Sequence, residues 1–131
     1  MKQEMKNYLI KEGFHPEESH DGEGLVFKRE GLIYYLFNHK KEEKYFSVAL
    51  PGIYDATPES RTTVLEAANR ATRRMRVGKV IIIDDTVWCV YERFLTSQDS
   101  FDEICPRAFM VLSSARIEFY NILEELENRN K

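Results

Sequence analysis

The sequence is poor in the features that staple, anchor or export a small protein. It has two cysteines, Cys89 and Cys105, in 131 residues and no C-x-x-C pair, which excludes a disulfide scaffold. Two reduced thiols in a cytoplasmic protein are expected instead. Long apolar runs are also missing, since the longest, residues 32–37 and 80–83, fall far short of the ~20 residues of a membrane helix. Residues 1–6 include Glu4 and no cleavage pattern, so no secretory leader is expected. There is no internal repeat, linker or low-complexity tract at which to divide the chain. G-x-S-x-G, H-E-x-x-H and Walker-type loops are absent, and with them the usual sequence marks of an enzyme. Excess positive charge is lacking too: the net charge of -3 argues against a general nucleic-acid binder, though a local basic patch fits within it. What is present is 43% hydrophobic, 12% aromatic and 31% charged residues, the profile of one globular domain over residues 1–131. A chain of this length buries about two thirds of its unfolded surface and needs no metal to hold it together.

Apolar residues at Met5, Tyr8 and Leu9 repeat at helical spacing, and Gly13 follows as a left-handed stop, so a first helix is expected over residues 2–12. Residues 15–24 read as a polar loop. Three strands follow, 25–29, 32–38 and 45–50, joined by the two-residue turn Glu30-Gly31 and a polar turn at 38–43. Pro51 and Gly52 are expected to end the third, because proline brings no donor to a ladder. Thr57-Pro58-Glu59 reads as a helix start, with Val64, Ala67, Ala68, Ala71 and Met75 on one face and Gly78 closing the segment after Val77. Residues 80–83 and 87–95 form a hairpin about Asp84-Asp85, and the first of its strands, apolar on both faces, is expected in the middle of the sheet. Ser100 and Glu103 form a capping-box pattern ahead of a last helix whose stripe runs Phe101, Cys105, Ala108, Leu112, Ala115, Phe119, Ile122 and Leu126, with Pro106 as a kink point. The order α-β-β-β-α-β-β-α implies an α+β fold, a two-layer sandwich in which helices cover an antiparallel sheet.

Candidate chemistry is thin. His15, Glu17, Glu18, His20 and Asp21 share a loop but lack the fixed spacing of metal ligands, so a solvated acidic loop is expected and no metal or cofactor. Asp84 and Asp85 suit a hairpin tip better than acid–base work. Cys89 and Cys105 fall in a strand and on an apolar stripe, with no adjacent histidine to make a thiolate. Arg70, Arg73, Arg74, Arg76 and Lys79 place five cations in ten residues, and Arg70, Arg73 and Arg74 lie away from the apolar face. That face either meets an anion or a nucleic acid or is simply solvated, with Glu66 one turn before Arg70 as an ion-pair partner. On the last helix, Met110, Ser113, Ser114 and Ile117 share the side opposite the core stripe, flanked by Phe109 and Tyr120. Small residues between larger apolar ones let a second helix approach, so this side either meets a partner, a second copy included, or is covered locally.

Asp21-Gly22-Glu23-Gly24, Glu66-Ala67-Ala68-Asn69, residues 79–85 with Val87-Trp88, Pro106-Arg107-Ala108, Ala115-Arg116 and Glu118-Phe119-Tyr120 follow one another in an order that resembles the YbjN-type family of candidate bacterial sensory transduction regulators. The resemblance spans most of the chain. It implies a fold like that of type III secretion chaperones and a cytoplasmic, non-enzymatic domain that works by binding protein, often as a homodimer. None of these strings is a catalytic signature. The sequence therefore leads to a non-catalytic protein-binding module, chaperone-like or regulatory, with a nucleic-acid or anionic-ligand binder as the competing class.

Overall fold

The computed structural model describes residues 1–129; Asn130 and Lys131, the last two of the expected domain, lie outside the described residues. Helix α1 spans Lys2–Lys11, strands β1 to β4 span Glu17–Glu18, Gly24–Arg29, Leu32–Phe37 and Tyr45–Asp55, α2 spans Arg61–Arg74, β5 and β6 span Gly78–Ile83 and Thr86–Phe94, and α3 spans Phe101–Arg129. The strands form one antiparallel sheet in the order β1-β2-β3-β4-β6-β5. The α+β reading and the order of helices and long strands hold.

Local chemistry explains most boundaries. Gly13 takes φ +92° after α1, and Glu30 and Gly31 both have positive φ, as a tight hairpin turn requires. Thr57 and Ser60 exchange hydrogen bonds reciprocally: the Ser60 N–H donates to Thr57 Oγ1 at 3.1 Å and the Thr57 N–H to Ser60 Oγ at 2.9 Å. The expected start is thus a capped turn, and the regular helix begins one turn later, at Arg61.

Side chains alternate across the sheet. Leu25, Phe27, Tyr34, Leu36, Phe46, Val48, Leu50, Val87 and Cys89 face the helices and join Leu9, Val64, Ala71, Leu112 and Phe119 in one buried cluster. Among the described residues, the opposite face carries no helix.

Five expectations need correction. The loop at 15–24 contains the short strand β1, whose Glu17 and Glu18 pair with Val26 and Leu25. Strand β4 does not stop at Pro51; it continues to Asp55 through an irregularity between Leu50 and Tyr54, with Gly52 at φ +63°. The pairing of β3 with β4 ends at Ala49, so a residue without an N–H at 51 breaks no bond on that side. Strand β5 is an edge, not the centre, because β6 turns back between it and β4. Ser100 makes no side-chain bond to Glu103 among the described residues; its carbonyl accepts the Glu103 N–H at 3.2 Å and the Ile104 N–H at 3.0 Å. Helix α2 ends at Arg74, and the left-handed residue is Val77, at φ +57°, rather than Gly78.

Glycine at 78 serves packing instead. A Cβ there would collide with Met75 Cε and lie 2.9 Å from Val111 Cγ1. The exposed, β-branched Val77 is left in a backbone region that costs a non-glycine residue about 1–2 kcal/mol. Val77→Gly is therefore expected to stabilise the fold by about 0.5–1 kcal/mol after the entropy of a freer unfolded chain is counted. Urea denaturation checks this, and a lower midpoint would show that the valine side chain contributes more than its backbone loses.

Candidate interaction surfaces

Helix α3 buries Cys105, Ala108, Leu112, Ala115, Phe119 and Ile122 along the expected stripe, with Ile104, Phe109 and Leu123 beside it. Phe109 is 2% exposed, so it does not belong to an outer contact surface. Its ring lies 5.2 Å from Phe27 and 5.3 Å from Tyr34, centroid to centroid, and it is a core residue because β2 and β3 leave an aromatic pocket under this turn. Met110 and Ile117, by contrast, are 63% and 53% exposed. Ser114 is exposed, Ser113 and Tyr120 are half-buried, and the Tyr120 hydroxyl donates to the Ile53 carbonyl. Tyr120 is thus tied to β4 at the far end of this side.

Where α2 stops, its end and α3 enclose an open groove of about 400 Å³. Met75, Met110 and Val111 form its apolar floor, Ser114 and Ala115 keep one wall low, and Arg74, Arg76 and Glu118 stand at the rim. The outer side of the last helix and the basic end of the middle helix, separate in sequence, meet here.

The basic face itself is largely committed within the molecule. Arg70 Nε lies 2.7 Å from Glu66 Oε1, and Arg74 Nη1 lies 2.8 Å from Glu118 Oε1, tying α2 to α3. Arg73 is exposed and, like Arg76, has no carboxylate within ion-pair distance among the described residues. Lys79 points to Glu92 at 3.3 Å. Two of the three arginines singled out in the sequence thus already hold carboxylates.

The open sheet face was not legible as a surface. It presents a row of rings, Tyr35, Phe37, His39, Tyr45 and Phe94, with successive centroids 4.6, 5.9, 4.7 and 5.2 Å apart. Phe94 and Ile33 are the most exposed apolar residues of that face, at 69% and 47%. The signal available was the apolar run Leu32–Phe37, in which both alternating sets are apolar.

On the same face His39 Nε2 lies 2.6 Å from Ser47 Oγ, and Glu92 stands opposite Ser47 in register. This pairing resembles part of a nucleophilic triad, but Ser47 is 3% exposed and Glu92 accepts from the Tyr45 hydroxyl and pairs with Lys79. Burial and Glu92 push the Tyr45 hydroxyl up to about 12. The hydroxyl has no open approach for a substrate, and the carboxylate is occupied elsewhere.

The remaining candidates are structural in their contacts. Asp21 accepts from Ser19 Oγ at 2.5 Å, from the Glu23 N–H at 2.9 Å and from the Tyr35 hydroxyl at 3.1 Å, and these bonds, that of Ser19 first, hold its carboxyl below the ordinary range. No three His, Cys, Asp or Glu side chains converge as metal ligands among the described residues. Asp84, at φ +56°, and Asp85 make the hairpin tip, where Arg61 donates to the Asp84 carbonyl and the Asp85 carboxylate. Burial pushes both Cys89 and Cys105 up to about 12, which suits packing, not thiolate chemistry.

The sheet has two edges. That of β5 is partly closed, because Thr72 Oγ1 accepts the Val80 N–H at 2.8 Å and donates to the Val80 carbonyl at 3.2 Å. No helix among the described residues is long and apolar enough to cross a membrane.

No family model matches the chain, and no curated protein matches it in sequence. Solved structures do match in fold. An uncharacterised protein from Methanothermobacter thermautotrophicus superposes with a TM-score of 0.64 at 15% identity, covering 98% of this chain and 99% of its own. YbjN from E. coli, described as a candidate transcription regulator, superposes with a TM-score of 0.67 at 9% identity, covering 95% of this chain and 90% of its own.

Proposed function

Starting from a YbjN-like fold, we propose that the chain is a cytoplasmic, non-catalytic protein-binding module, chaperone-like or regulatory, that receives an amphipathic helix of its partner in the groove between α2 and α3. The observation that carries this reading is the exposure of Met110 and Ile117 beside a groove floored by Met75 and Val111. Methionine suits such a site because its unbranched thioether adapts to differing side chains. Ser113, Ser114 and Ala115 let a second helix come close, as helix-in-groove recognition requires. Addition of an extended strand is the less favoured route, since Thr72 already occupies the outward backbone groups of Val80.

Met110→Asp with Ile117→Asp is expected to abolish partner capture from the native host's lysate while leaving the circular dichroism spectrum unchanged, because both side chains are solvent-facing. Capture that survives the double variant would refute the groove. Ionic strength separates the competing class: phosphate binding through Arg73 and its neighbours weakens steeply as salt rises, whereas apolar docking does not.

A further inference from the structure

Helix α3 has 29 residues and α2 has 14, so at about 1.5 Å per residue α2 can flank only about half of α3. Its last residue, Arg74, meets Glu118, and the chain beyond it runs back toward the start of α3, where Val111 fills the space beside Gly78. Along these earlier turns of α3, the irregular residues 75–77 and the strand residues Tyr91 and Arg93 take the place of a helix. A second cavity, of about 560 Å³, lies there. Val111 lines it and the α2–α3 groove alike, so the two form one trough from Glu103 to Glu118. These ends are 15 positions apart on α3, about 22 Å, which is room for about four turns of a second helix. Exposed Val77 and Met110, with Met75, Val111 and Ile104, make the floor apolar.

Charge gives the occupant its sign. The trough sets Arg74, Arg76, Arg93 and Arg107 against Asp99, Glu103 and Glu118, a positive excess in a chain whose net charge is -3. Arg74 is held by Glu118 and Arg93 by Asp99. Arg76 and Arg107, both exposed, have no carboxylate within ion-pair distance among the described residues, and Glu103 has no cation. Arg107 stands one turn from Met110 and Val111, whereas Glu103 stands two turns away, at the end of the trough. Arg76 comes from the α2 side and Arg107 from α3, so each flank of an occupant meets a guanidinium. A nucleic acid would use the two arginines and leave the apolar floor wet. An uncharged apolar helix would use the floor and leave the arginines without counter-charge. We propose that the partner helix is acidic: it lays an apolar stripe on Met75, Met110 and Val111 and carries aspartate or glutamate on both flanks, to pair with Arg76 and Arg107. This rests on the helix-in-groove reading and adds to it the partner's charge and length.

A displayed library of peptides of about 16 residues tests the proposal, with leucine fixed at helical i, i+3, i+4, i+7 spacing and the flanking positions drawn equally from glutamate and lysine. Selection on the full wild-type chain is expected to enrich glutamate on both flanks, and selection on Arg76→Glu with Arg107→Glu to enrich lysine. Both arginines are exposed, so the double variant keeps the wild-type dichroism spectrum. In fluorescence anisotropy, the glutamate-rich peptide should bind the double variant about tenfold more weakly than wild type, as reversal of two rim charges implies. Met110→Asp should abolish its binding. Enrichment without charge preference, or affinity indifferent to the double reversal, overturns the acidic partner and leaves the groove reading standing. No enrichment on wild type overturns both. Binding of a single-stranded oligonucleotide that the double reversal abolishes, with no acidic peptide enriched, assigns the arginines to a nucleic acid and likewise refutes the proposal.

Discussion

Phe109→Ala is expected to destabilise the domain by about 3–5 kcal/mol, the range for removing a buried phenylalanine ring. The ring packs among Phe14, Phe27 and Tyr34, and the Arg29 guanidinium lies 5.6 Å from its centroid. Truncation therefore opens a cavity on several sides and takes a ring face away from a half-buried cation. A fall in Tm on the order of 10–20 °C should result for a chain of this size. Its neighbour on α3 gives the control: Met110→Ala removes an exposed side chain and should change stability by less than about 0.5 kcal/mol. Thermal unfolding of the two variants side by side checks the assignment. Equal and small shifts would return Phe109 to the surface and contradict its place in the core.

Gly24→Ala is expected to destabilise by about 2–3 kcal/mol, as overpacking of a closed site does. The added Cβ would collide with the Leu36 carbonyl oxygen and lie 2.7 Å from Tyr35 Cε1. The ring can turn aside, at the expense of its hydrogen bonds to Ser19 and Asp21. The carbonyl cannot, because Leu36 is fixed in register between Leu25 and Val48. In a Tyr35→Ala background the alanine at 24 should therefore still destabilise by about 1–2 kcal/mol, the share left to the backbone clash. Chemical denaturation of the four chains of this cycle measures it, and complete relief would place the whole conflict on the ring.

Local features were legible in the sequence because they depend on neighbours along the chain. The stop at Gly13, the turn at Glu30-Gly31 and the capped turn at Thr57 all answer to residues within four positions. Features decided across the chain were not. Strand β5 looked central because Val80, Ile81, Ile82 and Ile83 are all apolar, yet edge and centre differ only in which strand β6 pairs with on its other side. Phe109 and Met110 differ by one position on a helix apolar on both flanks, and the rings of β2 and β3 decide which turns inward. The groove joins Met75 to Met110, 35 positions apart in the chain, so periodicity within either helix shows half of it. Of the nine residues singled out for binding, Met110, Ser114 and Arg74 meet at that groove, Ile117 lies exposed one helical turn along α3 from it, and Phe109 left the surface.

The position of β4 bears on how the chain must be made. On one side it pairs with β3, synthesised shortly before it; on the other it pairs with β6, which emerges only after α2 and β5. Until residues 86–94 have left the ribosome, the long edge of β4 has no partner, and Phe46, Val48 and Leu50 have no finished core to enter. A nascent chain stalled or truncated in that interval displays an apolar, unpaired strand, the species most prone to aggregate during folding. The sheet is sealed late, at the seam between β4 and β6 in its middle, and the final helix then closes over it.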